Sequence, residues 1–349
     1  MSRSKKTDIK ELTHDQLVLW LQSNKLEPYR AAQILKWIYL RQADTFEIMT
    51  DVGKEIRKLL SQHFSIARLE TVRIETSQDG SQKYLFKLAD EKYVETVLIP
   101  EKNHYTLCIS SQVGCALGCR FCLTARGGWV RNLTRGEIIA QVRDVSKCLG
   151  DSKRLTNIVF MGMGEPLANY GNVVSAITTL TDSNYGLGFS SRRLTVSTAG
   201  LVPKLFDLGR DTTVNLAISL NATDNETRNM LMPINRKYSL EKLIDACTGY
   251  PLLPRRRITF EYILLKGIND SEKDAKRLVR LLRPIRAKIN LIPFNTYEGS
   301  EFNRPEESAI LNFKEILNKN NYTAVIRRSK GQDISAACGQ LRANWIPDG

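Results

Sequence analysis

The chain has 349 residues, with 51 lysines and arginines against 37 aspartates and glutamates, a formal charge of +14. At roughly 150 residues per domain this leaves room for about two domains, and a composition 42% hydrophobic and 25% charged is that of an ordinary folded globular protein. No run approaches the ~18 apolar residues that span a bilayer, and the opening MSRSKKTDIKELTHDQ lacks the apolar h-region of a cleaved secretion signal. The expectation is a cytoplasmic protein with no membrane association. The basic excess favours a polyanionic partner, most often nucleic acid, with plain solvated basic surface as the alternative.

Residues 8–64 read as helical. Apolar positions recur as Leu17, Val18, Trp20 and Leu21, then as Ile34, Leu35, Ile38 and Tyr39, the period of amphipathic helices. Residues 69–99 change character. TVRIET, KYLFKL and YVETVLI alternate as strands do, with Asp79-Gly80 as a turn pair between the first two. This predicts a small helical and β-hairpin module over residues 1–95, ahead of a main domain over 96–349.

From residue 106 onward, strand candidates alternate with helical stretches: TLCIS, NIVFM, RLTVS, VNLAIS, TFEYIL, INLIPF and TAVIRR. Thr134 and Glu137 form a capping box at the head of one intervening helix. Such alternation specifies an α/β fold with a parallel sheet and right-handed crossovers. Its length suggests a partial or complete (β/α) barrel, whose chemistry gathers at the C-terminal ends of the strands. No internal repeat or low-complexity tract is present.

Seven cysteines stand at 108, 115, 119, 122, 148, 247 and 338. In a reducing cytosol they are not a disulfide framework, and clustering points to metal or redox work. Cys115, Cys119 and Cys122 form a CxxxCxxC motif just after the first barrel strand. Thiolates ligate iron–sulfur clusters, and three ligands on a four-iron cubane leave one iron open for a small molecule. A structural zinc site completed by Cys108 or a distant group is the alternative. Cys148 and Cys247 read as packing residues of helices, and His14, His63 and His104 have no ligand spacing.

The motif, with Phe121 between two of its cysteines and GMGEP (162–166) after the second strand, resembles the radical S-adenosylmethionine enzymes. That resemblance implies a 4Fe-4S cluster on Cys115, Cys119 and Cys122, a partial (β/α) barrel of the radical SAM type, and S-adenosylmethionine bound through its amine and carboxylate. The glycines of GMGEP are expected to let the backbone approach the ligand, and Glu165 to face its amine.

CISSQVGCALGCRFC, DISAACGQL, RNLT (131–134), VSTAG (196–200), LMPIN (231–235) and LIPFN (291–295) narrow the resemblance to the RlmN family of RNA adenine methyltransferases. The family implies methylation of adenosine carbon 2 in 23S ribosomal RNA and in transfer RNA, using two molecules of S-adenosylmethionine per turnover. It implies that Cys338 carries the methyl group, that RNA becomes covalently attached there, and that Cys108 resolves the adduct through a disulfide. A reducing partner such as flavodoxin or ferredoxin is implied too, and a monomeric enzyme is expected. Gly164, Glu165, Ser197, Ser219, Leu220, Asn221 and Asn295 match the family's S-adenosylmethionine contacts. Each lies near the end of a strand, where the barrel rule also directs attention. Asn221 replaces the histidine expected in SLHA, and LTARGG (123–128) departs from the usual segment after the third ligand. Glu95 matches a proposed proton acceptor, against the plain alternative of a solvent-facing strand glutamate. A related methyltransferase acting at carbon 8 shares the cysteine layout, but GMGEA is expected there and Pro166 favours carbon 2. A non-catalytic zinc-stabilised RNA-binding protein is the remaining alternative.

The charge suits RNA. Arg131 and Arg135, Arg192 and Arg193, Arg255 to Arg257, and Arg327, Arg328 and Lys330 are candidates for phosphate contact. A base must also be drawn from its stack to be modified, which gives the N-terminal module a role in gripping RNA.

Overall fold

The apolar periodicity of the first sixty residues resolves into three helices bracketed by two short strands. In the computed structural model, residues 6–149, 154–297 and 299–343 are described. β1 (Thr7–Asp8) precedes α1 (His14–Ser23), α2 (Arg30–Tyr39) and α3 (Lys54–His63), and β2 (Phe64–Ser65) returns to pair with β1 in parallel. α1 begins where Thr13 and Gln16 exchange side-chain to backbone hydrogen bonds, satisfying two amides that the first turn leaves open. The apolar faces of α1 and α2 bury Leu17, Leu21, Ile34, Leu35 and Ile38.

β3 (Glu70–Thr76), β4 (Gln82–Lys87) and β5 (Tyr93–Pro100) form an antiparallel meander whose first turn holds Gly80 at φ +82°. β5 then pairs with β6 (His104–Cys108), the first strand of the main domain. The division expected between residues 95 and 96 therefore falls inside β5. The meander extends the main sheet, with β5 supplying ladder partners to the edge of β6 that β9 leaves open.

After β6, β7 (Gln112–Gly114) and β8 (Trp129–Asn132) pair across the cysteine loop and the short α4 (Leu123–Arg126). The repeating units follow as α5 (Arg135–Cys148), β9 (Arg154–Phe160), α6 (Tyr170–Thr181), β10 (Leu194–Thr198), α7 (Leu205–Asp211) and β11 (Asn215–Ser219). They continue as α8 (Asn225–Leu231), α9 (Leu240–Thr248), β12 (Ile258–Leu264), α10 (Glu272–Leu281), β13 (Ala287–Pro293), α11 (Glu307–Lys319) and β14 (Thr323–Ile326). Every strand expected after residue 106 is present. The capping box of Thr134 and Glu137 starts α5.

The sheet runs in the order β14-β13-β12-β11-β10-β9-β6-β5-β4-β3. β6 and β9 to β14 are mutually parallel. With β14 and β3 at its two ends, this is a partial (β/α) barrel. Strand alternation sorts the side chains. On β11, Leu216 and Ile218 are buried in the apolar core, while Ser219 opens on a cleft at one end of the barrel and Asn215 on a second cleft at the other.

Arg143 of α5 docks the N-terminal helices on the barrel. It is fully buried, donates to Ile38 O at 3.1 Å, and pairs with Asp44 at 2.8 Å and Asp144 at 3.0 Å. No helix among the described residues is long and apolar enough to cross a membrane.

Candidate active site

The C-terminal ends of the parallel strands open on a cleft of about 920 Å³, part of it exposed to solvent. Cys115, Cys119 and Cys122 line one side, with Phe121 between them. The loop is pinned at its base by Cys115 N donating to Gly128 O at 2.8 Å. Gly114 has φ +75°, and a Cβ there would lie 2.0 Å from the same oxygen, so only glycine fits. Under the loop, Phe121, Leu231, Met232, Phe294 and Phe302 form a small apolar cluster of their own.

Burial lifts the Cys115 thiol to about 12 and the Cys119 thiol well above its ordinary value, and neighbouring thiols add to both. As thiolates, the three would be like charges in apolar surroundings, a state that bound iron relieves. Among the described residues no three histidine, cysteine, aspartate or glutamate side chains are gathered closely enough for a single metal ion. A cubane requires a wider set, since each thiolate binds a different iron. The donor set fits the cluster.

Facing the cysteines, Gly164 and Glu165 line the same cleft. Glu165 is 3% exposed. Its Oε1 accepts from Leu167 N at 3.0 Å and its Oε2 from Ala199 N at 2.8 Å, which fixes the carboxylate at the rim. Burial raises its pKa, and those hydrogen bonds oppose the rise. The glycines of GMGEP are also required by the packing of their own loop. A Cβ on Gly162 would meet Ile109 O at 2.7 Å, and one on Gly164 would meet Gln112 Cβ at 2.5 Å. They let this loop pack against the strand connection beneath it.

Ser197, Ser219 and Asn221 also line the cleft. Asn221 has φ +58°, a conformation asparagine tolerates better than most residues. Its Oδ1 accepts from Ile263 N at 2.9 Å, which gives this departure from the family pattern a role in holding β12. Leu220 is fully buried behind the wall and donates its N–H to Glu261 O at 3.0 Å. Asn295 lies outside the lining. Its side-chain amide donates to Ser329 Oγ at 2.6 Å, and its Oδ1 accepts from Gln332 Nε2 at 2.8 Å. It holds the start of the segment that carries Cys338.

That segment returns across the cleft. Cys338 faces the cavity between buried Ala337 and Gly339, open to solvent from the mouth and enclosed by protein elsewhere. The segment is tied to the cysteine loop by Leu123 N donating to Gly339 O at 2.7 Å and Thr124 Oγ1 to Leu341 O at 2.6 Å. Enclosure raises the Cys338 thiol, and the Arg327 charge opposes that rise. Cys108 is buried at the end of β6, and burial together with the Cys338 charge pushes its thiol up. Glu95 is not solvent-facing. It is 5% exposed and outside the cleft lining, and its Oε2 accepts from Arg342 N at 2.7 Å and Ala343 N at 3.0 Å.

Two residues of the site were missed in the sequence. Glu261 of β12 lines the cleft at 5% exposure, receives Asn290 Nδ2 at 2.9 Å, and acts electrostatically on Cys338. Its signal was a carboxylate in the apolar strand TFEYIL. Arg228 is fully buried and donates to Leu220 O at 3.1 Å and Ala199 O at 2.8 Å, joining the ends of β10 and β11. Burial lowers its pKa to about 10. Of the other cysteines, Cys247 is buried as expected, whereas Cys148 is exposed at the end of α5.

The arginines expected on phosphate divide. Arg131 is held by Asp90 at 2.7 Å and Glu137 at 2.8 Å, and Arg135 is buried, donating to Lys10 O and Thr179 Oγ1. Both serve the fold. Arg192 and Arg255 to Arg257 line the cleft at the opposite end of the barrel.

Comparison with known proteins agrees with this geometry. Residues 7–66 match the Ribosomal RNA large subunit methyltransferase N-terminal domain, and residues 109–279 match the Radical SAM superfamily. The chain is 57% identical over 337 residues to Dual-specificity RNA methyltransferase RlmN of Desulfosudis oleivorans, covering 97% of this chain and 91% of that one. It is 54% identical to the protein of the same name from Geobacter sulfurreducens, covering 96% and 92%. The crystal structure of a radical SAM methyltransferase from Sphaerobacter thermophilus superposes with a TM-score of 0.91 at 42% identity, covering 97% of this chain and 100% of that one. The chain belongs to the RlmN family of S-adenosylmethionine-dependent radical RNA methyltransferases.

Proposed function

We propose that this enzyme methylates carbon 2 of adenosine in 23S ribosomal RNA and in transfer RNA, with Cys338 as carrier of the methyl group. One observation carries the reading: Cys338 shares a cleft with three clustered thiols and the buried carboxylate of Glu165, and Cys108 ends β6 at the same end of the barrel. The name of the relatives, dual-specificity RNA methyltransferase, supports the substrate class.

Cys115, Cys119 and Cys122 would hold a 4Fe-4S cluster. Gly164, Glu165, Ser197, Ser219, Leu220, Asn221 and Asn295 belong to the loops that would surround S-adenosylmethionine. When bound, these groups supply a methyl group and a 5′-deoxyadenosyl radical, consuming two molecules of S-adenosylmethionine per turnover. The protein's own residues do the rest. Carbon 2 of adenine lies between two ring nitrogens and is too electron-poor to take an electrophilic methyl directly. Cys338 as thiolate is a nucleophile and takes the methyl group as a thioether. Loss of a hydrogen atom from that S-methyl group leaves a carbon-centred radical that bonds to carbon 2, joining RNA to the protein. The adduct radical then loses the carbon 2 proton and one electron, which the oxidised cluster would take back, so that the aromatic ring is restored. Cys108 as thiolate bonds to the Cys338 sulfur as the carbon–sulfur bond breaks, the released carbon takes a proton to become the methyl group, and the product leaves behind a disulfide. A reductant such as flavodoxin or ferredoxin restores the two thiols. The N-terminal module, residues 1–95, grips RNA while the target base leaves its stack.

The test is nucleoside mass spectrometry of ribosomal and transfer RNA from a strain lacking this chain, with and without its return. 2-Methyladenosine should appear in both RNAs only on complementation. 8-Methyladenosine in its place, or no methylated adenosine, would overturn the reading.

A further inference from the structure

We propose that the cleft at the N-terminal ends of the barrel strands is a second phosphate site, which grips the backbone of substrate RNA away from the adenosine being modified. The proposal rests on the RNA methyltransferase reading above and adds to it a surface on the far side of the barrel.

Arg192, Arg255, Arg256, Arg257 and Lys288 line this cleft together, and among the described residues its lining contains no carboxylate. They come from three places in the sequence, brought side by side because each precedes or opens one of the parallel strands β10, β12 and β13. Several surface arginines elsewhere are neutralised. Arg68 pairs with Asp44, Arg120 with Glu301 and Arg131 with Asp90 and Glu137. Here the partners are neutral. Arg256 Nη1 donates to Asn215 Oδ1 at 2.8 Å and Arg257 Nη1 to Thr323 Oγ1 at 3.0 Å, which aims two guanidinium groups without cancelling their charge. Like charges gathered without counter-charge oppose the compact state, and a bound polyanion reverses that cost.

The shape indicates which anion. The cleft is broad, about 1450 Å³ including its opening, and among the described residues no aromatic ring lines it to stack a base. A small phosphorylated metabolite needs a mostly enclosing pocket, whereas a sugar–phosphate backbone needs spread cations and no base readout. The seven residues of β12 separate the two mouths by roughly 23 Å, at about 3.3 Å per residue. An RNA engaging both must pass around the barrel, so a minimal stem–loop cannot reach the second site and a large folded RNA can.

The experiment measures binding of the cluster-loaded enzyme to a minimal stem–loop carrying the target adenosine and to a full transfer RNA with the same loop, over a salt series. The variant is R192Q/R255Q, made at two exposed side chains. Lys288 is left alone because its charge also acts on Glu261. Affinity for the transfer RNA should fall about tenfold, with a salt slope shallower by about two, one for each phosphate contact removed. Affinity for the stem–loop should fall less than twofold, and R192K/R255K should restore most of the loss. Equal losses for both RNAs, or none for either, would overturn the second site while leaving the methyltransferase reading intact. A wild-type enzyme that binds neither RNA would instead defeat that reading and this proposal with it.

Discussion

Glu95 Oε2 accepts a hydrogen bond from the backbone N–H of Arg342 at 2.7 Å, across 247 residues of sequence. The same oxygen takes Ala343 N at 3.0 Å, and Lys83 stands 3.5 Å from Oε1. Further along the segment, Lys83 Nζ reaches Ile334 O at 2.6 Å, Asp79 receives Gly331 N at 2.8 Å, and Asp333 receives Ser77 Oγ at 2.5 Å. The meander thus acts as a clamp on the stretch that presents Cys338. Hydrogen bonds to an ionised group contribute about 1.5–3 kcal/mol each. Glu95→Gln should raise local opening of residues 331–343 by about tenfold, read as faster amide exchange at Arg342 and Ala343. Unchanged exchange in that variant would remove the clamp from the argument.

Gly164 makes a second expectation, since its φ of +97° and the 2.5 Å approach of an added Cβ to Gln112 Cβ leave no room for a side chain. Gly164→Ala should destabilise the fold by about 1–3 kcal/mol. It should also weaken S-adenosylmethionine binding, because Glu165 N donates to Gln112 Oε1 at 2.8 Å and would shift with it. Calorimetric titration of the loaded enzyme with S-adenosylmethionine checks the second part. Wild-type affinity would refute it.

The cysteine loop gives the spectroscopic test. Cys115→Ala, Cys119→Ala and Cys122→Ala should each lose the iron–sulfur absorbance after anaerobic reconstitution, while keeping wild-type helix content by circular dichroism. A full 4Fe-4S cluster in any of the three would break the ligand assignment.

Asp44 supplies a pH dependence. Burial pushes its carboxyl up, but hydrogen bonds from Arg68, Lys147 and Arg143 outweigh that and hold it well below its ordinary 3.8. With the folded value depressed, the unfolded chain binds more protons near pH 3, so this contribution is present above about pH 4 and fades as pH falls. Because Asp44 is partly exposed, its share is screened and modest. The stability of the wild type should drop from pH 5 to pH 3 more steeply than that of Asp44→Asn. Parallel profiles would exclude Asp44 as a contributor.

What was legible in the sequence was local. The seven strand candidates, the Thr134–Glu137 cap and the cysteine spacing each depend on residues a few positions apart, and periodicity and turn chemistry report on that range. Contacts between distant segments were not legible. Glu95 looks like one polar residue in an alternating strand until the C-terminal segment is laid over it. Arg131 looks like a phosphate ligand until Asp90, 41 residues away, closes on it. Nothing near Gly164 in the sequence says that Gln112, 52 residues earlier, packs against it. The hairpin reads as a separate module because nothing in YVETVLI says that its other edge pairs with β6.

Cys338 and Cys108 allow the sharpest separation of roles. Both lie at the same end of the barrel, Cys338 facing the cleft and Cys108 buried at the end of β6. A carrier must be in place before RNA is attached, and a resolver acts only afterwards. Cys108→Ala should therefore accumulate protein covalently joined to RNA, seen as a slow-migrating band that ribonuclease removes. Cys338→Ala should form no such band and no methylated adenosine. Both variants should retain the cluster absorbance, because neither residue belongs to the CxxxCxxC loop. The proteins are best compared after coexpression with their RNA under reducing, oxygen-poor conditions. If Cys338→Ala is the variant that traps RNA, or if it still yields 2-methyladenosine, the carrier and resolver have been assigned the wrong way round or wrongly altogether.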